Sequence, residues 1–169
     1  MTKKILIILG IVVVAGVGYY AISPLFNDTK VDEALPGNVP SKKTSVEIVP
    51  TQNDVMKHDA TTTSSVMTHT AATVTGTAGH PASGTVRIIE ADGKQYVRYE
   101  NFKTINGPDI YVYLSKDLDA KAYVSLGKVK ATEGNINYEV PAGTNASDYK
   151  YVLTWCKTFS VLFNSAEIN

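Results

Sequence analysis

The sequence predicts an all-β fold: an antiparallel β-sandwich or small barrel of about seven or eight strands, preceded by one N-terminal transmembrane helix and a disordered linker. Three observations point there. Ile5 to Ile22 is an uncharged apolar run, residues 27–79 lose all hydrophobic periodicity, and from His80 onward short apolar stretches alternate with Gly, Pro, Asn and Asp. The chain therefore divides into an anchor at 1–26, a linker at 27–79 and a β domain at 80–169.

The first segment, ILIILGIVVVAGVGYYAI, follows Lys3 and Lys4. As a helix rising 1.5 Å per residue it is about 27 Å long, close to the roughly 30 Å hydrocarbon core, so the expected partner of Ile5 to Ile22 is a membrane. The two lysines place the N-terminus in the cytoplasm, and Tyr19 and Tyr20 sit at an interfacial belt. The rival is a cleaved secretory signal ending near Ala21-Ile22-Ser23. Either way the remainder lies outside the cytoplasm, single-pass anchored or secreted.

Ten positions between Thr61 and Thr77 are Ser or Thr, a composition that buries too little apolar surface to offset the entropy of ordering it. The linker reads as a flexible tether with a root-mean-square reach of roughly 40 Å, carrying at most a short strand at Val46 to Val49. It holds a loose repeat, Val55-Met56-Lys57-His58 and Val66-Met67-Thr68-His69. Thioether and imidazole suit copper, so Met56, His58, Met67 and His69 are weak copper candidates beside the simpler reading of chance in a biased segment. Asn27 and Asn145 fit the glycosylation acceptor pattern.

In the domain, Asp92-Gly93 supplies the positive φ angles of a type I′ hairpin turn. That turn pairs Ile88 with Val97 and Val86 with Tyr99 on a core face. Arg87 with Arg98 and Thr85 with Glu100 fall on a largely wet face that also carries Ile89 and Tyr96. Ile110 to Ser115 is bulky on both faces and reads as a central strand. Ala122 to Val129, Ile136 to Val140, Tyr149 to Cys156 and Thr158 to Phe163 follow, with Phe102, Tyr138, Trp155, Phe159 and Phe163 feeding the core.

With 16 basic and 16 acidic residues the formal net charge is zero, which argues against nucleic acid as a partner. The single cysteine, Cys156, excludes an internal disulfide and any paired-cysteine zinc framework. Such a thiol can pair between chains, bind a metal or prosthetic group, stay reactive or be buried. Strand alternation puts Tyr149, Tyr151, Leu153 and Trp155 on one face and Lys150, Val152, Thr154 and Cys156 on the other, less apolar one, where Lys150 and Lys157 favour thiolate. His80 is the one histidine at the domain's edge. A catalytic set of Cys156, His80 and Asp109 has no geometry in sequence, so no catalytic residue is assigned and no independent enzymatic activity is expected. No cofactor is required, with haem or copper at a cysteine-histidine pair the conceivable ones.

The pieces HPASGTV at 80–86, Tyr99-Glu100-Asn101-Phe102, NGPDIYVYLS at 106–115, LGKVK at 126–130, GNINY at 134–138 and Trp155-Cys156-Lys157-Thr158-Phe159 stand in an order that resembles the DM-thirteen domain family, over about residues 80–168. The resemblance implies an all-β electron-transfer domain whose signature cysteine corresponds to Cys156, acting as a free redox thiol or through a prosthetic group, with Trp155, Asp109 and His80 as supporting candidates. It also implies a separate membrane redox protein as partner, since the family's companion domains are not in this chain. The alternative function is an adhesion or envelope-interaction domain with a structural cysteine.

Overall fold

The computed structural model describes residues 2–22, 28–37 and 67–169. An α-helix, α1, covers Thr2–Ile22, as the apolar run requires. Its spanning role is overturned: among the described residues no helix is long and apolar enough to cross a membrane.

The domain is two packed β-sheets. In chain order the strands are β1 Lys30–Asp32, β2 Met67–Thr68, β3 Ala72–Thr73, β4 Thr75–Gly76, β5 Ala82–Ala91, β6 Lys94–Thr104, β7 Ile110–Ser115, β8 Tyr123–Lys128, β9 Glu133–Glu139, β10 Tyr151–Cys156 and β11 Val161–Glu167. One sheet runs β1-β9-β6-β5-β2 with β3 also on β5, and the other runs β4-β11-β10-β7-β8. All pairings are antiparallel except β1 with β9. β7 lies inside its sheet between β10 and β8, the central position expected for it.

The Asp92-Gly93 hairpin has the expected register, with Ile88 opposite Val97, Val86 opposite Tyr99 and Arg87 opposite Arg98. Both turn residues have positive φ, 52° and 72°, as the turn type demands. Val86, Ile88, Val97 and Tyr99 enter the main core with Phe102, Val112, Leu114, Ile136, Tyr138 and Val152. Burying a side chain of this size is worth about 1.5–3 kcal/mol, so this inter-sheet layer dominates the stability.

Phe159, expected in the core, is 56% exposed in the turn before β11, and two larger features also differ from the sequence reading. First, the arginine face of the hairpin is covered: Arg98 is 6% exposed. Residues 29–34, inside the stretch assigned to the linker, pair along β9 and place carbonyls over Arg98. Its Nη1 donates to Glu33 O at 3.1 Å, Ala34 O at 3.2 Å and Asn137 Oδ1 at 2.8 Å. Second, residues 72–76 also belong to the sandwich. The chain passes from one sheet at β3 to the other at β4 through Val74, which is buried in the core. Of the copper candidates, Met56 and His58 lie outside the described residues, as do the side chain of Met67, the Val46 to Val49 strand and Asn27. His69 is exposed beside β5, and Asn145 is exposed at the start of a 3-10 turn, Ala146–Asp148.

Candidate functional site

Cys156 is the last residue of β10, opposite Ile110 of β7 and Val161 of β11. The expected strand phase is present, with Val152, Thr154 and Cys156 on one face and Tyr151, Leu153 and Trp155 on the other. The cysteine face is the inward one, however. Val152 and Thr154 are buried and Cys156 is fully excluded from solvent at 0% exposure, so of the fates open to the thiol in the sequence the structure shows burial, on the face expected to be the less apolar one. Alternation fixes which residues share a face; what covers that face comes from the second sheet and the loops.

The cover over the thiol follows from a β-bulge. Between Thr154 and Trp155 the register with β11 shifts, so Asn164 faces Thr154, Leu162 faces Trp155, and Phe163 is the extra residue. The Phe163 ring packs with Cys156 and Ile110 in a small cluster bordered by Ile105 and Val129. The loop before β7 completes it. A Cβ on Gly107 would stand 2.6 Å from Phe163 Cζ and 3.2 Å from Ile110 Cγ2, so only glycine lets the loop close this tightly. The next residue, Pro108, turns its carbonyl to the thiol, and Cys156 Sγ donates to Pro108 O at 3.0 Å.

Asp109 holds the other side of the loop. Its φ is 59°, a left-handed conformation that Asp tolerates better than most side chains. Its carbonyl accepts from Lys157 N at 3.1 Å, its Oδ2 accepts from Thr158 Oγ1 at 3.3 Å, and its Oδ1 is 3.3 Å from Lys128 Nζ. Asp109 thus clasps the β10–β11 turn with its carboxylate directed away from the sulfur.

His80 stacks on the Phe163 ring at 4.0 Å between centroids and 25° between planes. Thr77 Oγ1 donates to Leu162 O at 2.9 Å, with Phe163 O at 3.1 Å, and lies 3.0 Å from His80 Nδ1. A hydroxyl has one proton to give, so with that proton on the β11 carbonyls the oxygen accepts from Nδ1–H, leaving Nε2 unprotonated in the neutral ring. Imidazole and thiol are joined only through the Phe163 ring, and the thiol proton points to a carbonyl. A cysteine-histidine base pair is therefore not formed.

Trp155 lies across the sheet from the sulfur, half-buried, opposite Tyr111 and Leu162. It belongs to an aromatic outer face in which Tyr113 stacks on Tyr123 at 4.1 Å. Burial, reinforced by Tyr123, pushes the Tyr113 hydroxyl up to about 12. Lys157 and Lys128 sit 5.6 and 5.7 Å from the Tyr111 ring centroid, and Lys150 pairs with Glu167 at 3.2 Å. The lysines expected to favour thiolate are thus engaged with Tyr111 and Glu167.

The structure brings Cys156, Asp109 and His80 around one loop and one phenyl ring, and separates Trp155 from them. Sequence reasoning missed Phe163, Gly107 and Pro108 as the shield; the Asn106-Gly107-Pro108 turn was the available signal. Haem or copper does not fit this arrangement, because the sulfur has no exposed face and its proton is bonded to Pro108. Among the described residues no group of three or more His, Cys, Asp or Glu side chains is arranged to hold a metal ion.

A family model described as Electron transfer DM13 matches residues 74–168, which spans β4 to β11 and every site residue above. No curated protein and no solved structure matches the chain significantly.

Proposed function

The chain belongs to the Electron transfer DM13 family, and on that premise we propose that its sandwich is an electron-transfer module whose working group is the Cys156 thiol, kept shielded until the 105–109 loop opens. The observation that carries this reading is the Sγ to Pro108 O hydrogen bond at 3.0 Å, made by the one loop that covers the sulfur. A thiol reacts as its thiolate, so a sulfur that is neutral, hydrogen-bonded and dry is quiescent, and opening the loop supplies both water and an attack path. With one cysteine in the chain, a two-electron exchange requires a second molecule's sulfur. The Cys156 proton leaves to solvent, the thiolate attacks a partner disulfide, a mixed disulfide forms and the partner's second sulfur departs as thiolate.

Full burial favours a second reading, a structural cysteine that packs as a small apolar group, with the sandwich serving interaction or adhesion. Glutathione disulfide separates the two. Under native conditions the redox reading expects mixed-disulfide formation at Cys156 through local opening, faster than global unfolding measured in the same buffer. Reaction only at the global unfolding rate would sink it in favour of the structural reading. Cys156→Ser provides the control for any modification at other sites.

A further inference from the structure

The loop over Cys156 contains Asn106-Gly107, the one Asn-Gly pair in the sequence. The Gly107 amide donates to the Asn106 side-chain Oδ1 at 2.9 Å, which holds the backbone nitrogen against the carboxamide of the preceding residue. Glycine brings no side chain to obstruct that approach, and no other residue type fits at 107 because Phe163 occupies the space. Elsewhere the residue after asparagine is larger: Asp28, Val39, Asp54, Phe102, Ile136, Tyr138, Ala146 and Ser165 follow Asn27, Asn38, Asn53, Asn101, Asn135, Asn137, Asn145 and Asn164.

From this juxtaposition we infer that Asn106-Gly107 is a self-modification site, and that its conversion to isoaspartate unseats the loop shielding Cys156. The Gly107 nitrogen bonds to Asn106 Cγ as the Cγ–Nδ2 bond breaks. The amide proton leaves with the side-chain nitrogen as ammonia, and a five-membered succinimide remains. Water then adds to one of its two carbonyls. Opening at Cγ gives aspartate; opening at the α-carbonyl gives isoaspartate, whose main chain runs through Cβ and Cγ. Water is the only co-reactant.

The isoaspartyl product lengthens the main chain by one methylene between Ile105 and Gly107 and adds a carboxylate close in sequence to Asp109. Two contacts depend on the unmodified path: the fit of Gly107 under Phe163 and the reach of Pro108 O to Sγ. Both lie within two residues of the inserted methylene. The shield has no slack, because Phe163 already fills the position of a Cβ at 107. Lengthening the loop therefore exposes the thiol, whether or not Cys156 carries electrons.

The full chain is aged in mildly alkaline buffer, native and denatured, and each asparagine is followed by mass spectrometry and by enzymatic isoaspartate methylation. Modified and unmodified fractions are then titrated with a thiol reagent. Asn106 is expected to convert ahead of every other asparagine in the native chain, and the isoaspartyl fraction to react faster than unmodified protein. Asn106→Gln is expected to remove the gain in reactivity on ageing. Asn106→Asp, which adds the charge without the methylene, is expected to keep the thiol shielded. An Asn106 that converts only after denaturation overturns the site. Conversion with unchanged thiol reactivity, or a reactive Asn106→Asp variant, overturns the link to the shield.

Discussion

Phe163 and Gly107 fit each other so closely that a Cβ at 107 would stand 2.6 Å from Cζ of the ring, inside any real carbon–carbon contact. The fit couples the β11 bulge to the loop that presents Pro108 O to the thiol. Gly107→Ala must push the ring or the loop aside. Overpacking of this kind costs about 1–3 kcal/mol, seen as a lower urea midpoint at unchanged slope. The same displacement breaks the Sγ to Pro108 bond, so native Cys156 is expected to react with a thiol reagent faster than in the parent. A variant that loses stability yet keeps the parent thiol rate refutes the coupling.

A buried tie between the sheets makes a second prediction. Asn164 Nδ2 donates to Thr104 Oγ1 at 3.1 Å, with both residues buried, at 1% and 5% exposure. Asn164→Ala removes the donor and leaves a small void and an unpaired hydroxyl, at a cost of about 1–3 kcal/mol. Thr104→Val alone strands the amide and is expected to cost a similar amount. In Asn164→Leu with Thr104→Val both polar groups are gone, so the double variant is expected to lose less than the sum of the singles. Additive losses in chemical denaturation would show that the two groups do not interact.

How much of this was legible in the chain depends on range. The Asp92-Gly93 turn is local, and it fixed a whole hairpin register correctly, down to Arg87 opposite Arg98. The phase of β10 was equally local. What covers Cys156 was not, because Phe163 reaches it by a bulge and Gly107 by a loop from a distant part of the chain. Lys30–Asp32 was invisible as a strand: three residues show no periodicity, and their stabilising partner is β9. The apolar N-terminal run did encode a helix, but no helix among the described residues is long and apolar enough to cross a membrane.

Buried tyrosines, Tyr99 among them, give a pH signature. Burial pushes the hydroxyls of Tyr113 and Tyr138 up to about 12, against 10.0 ordinarily. A group whose folded pKa is raised contributes stability that is complete below its unfolded pKa and is lost as pH climbs through the folded one. Between pH 10 and 12 the unfolded chain has shed these protons and the native chain has not, so stability falls as pH rises. Urea midpoints measured across that window should drop. Tyr113→Phe should flatten the drop, and an equally steep profile in that variant would assign the loss to other groups.

Residues 29–34 are the least anticipated part of the fold, and Gly134 is the position that admits them. Its φ is 117°, and a Cβ there would overlap the Val31 carbonyl oxygen, so any side chain blocks β1 from β9. Gly134→Ala therefore does more than strain one residue. With β1 displaced, Arg98 loses Glu33 O and Ala34 O, and Asn137 N loses Glu33 Oε2 at 2.7 Å. The nearly buried guanidinium keeps Asn137 Oδ1 and Glu100 Oε1 but loses two backbone acceptors, and a hydrogen bond to a charged group is worth about 1.5–3 kcal/mol. Water can hydrate Arg98 once the strap has left, so the net loss should fall below that figure. Hydrogen exchange distinguishes the outcomes: in Gly134→Ala the amides of Glu33 and Thr132 lose protection while those of Val97 and Tyr99 keep theirs. If all four lost protection together, β1 would be an integral strand of the sandwich rather than a strap laid along its edge.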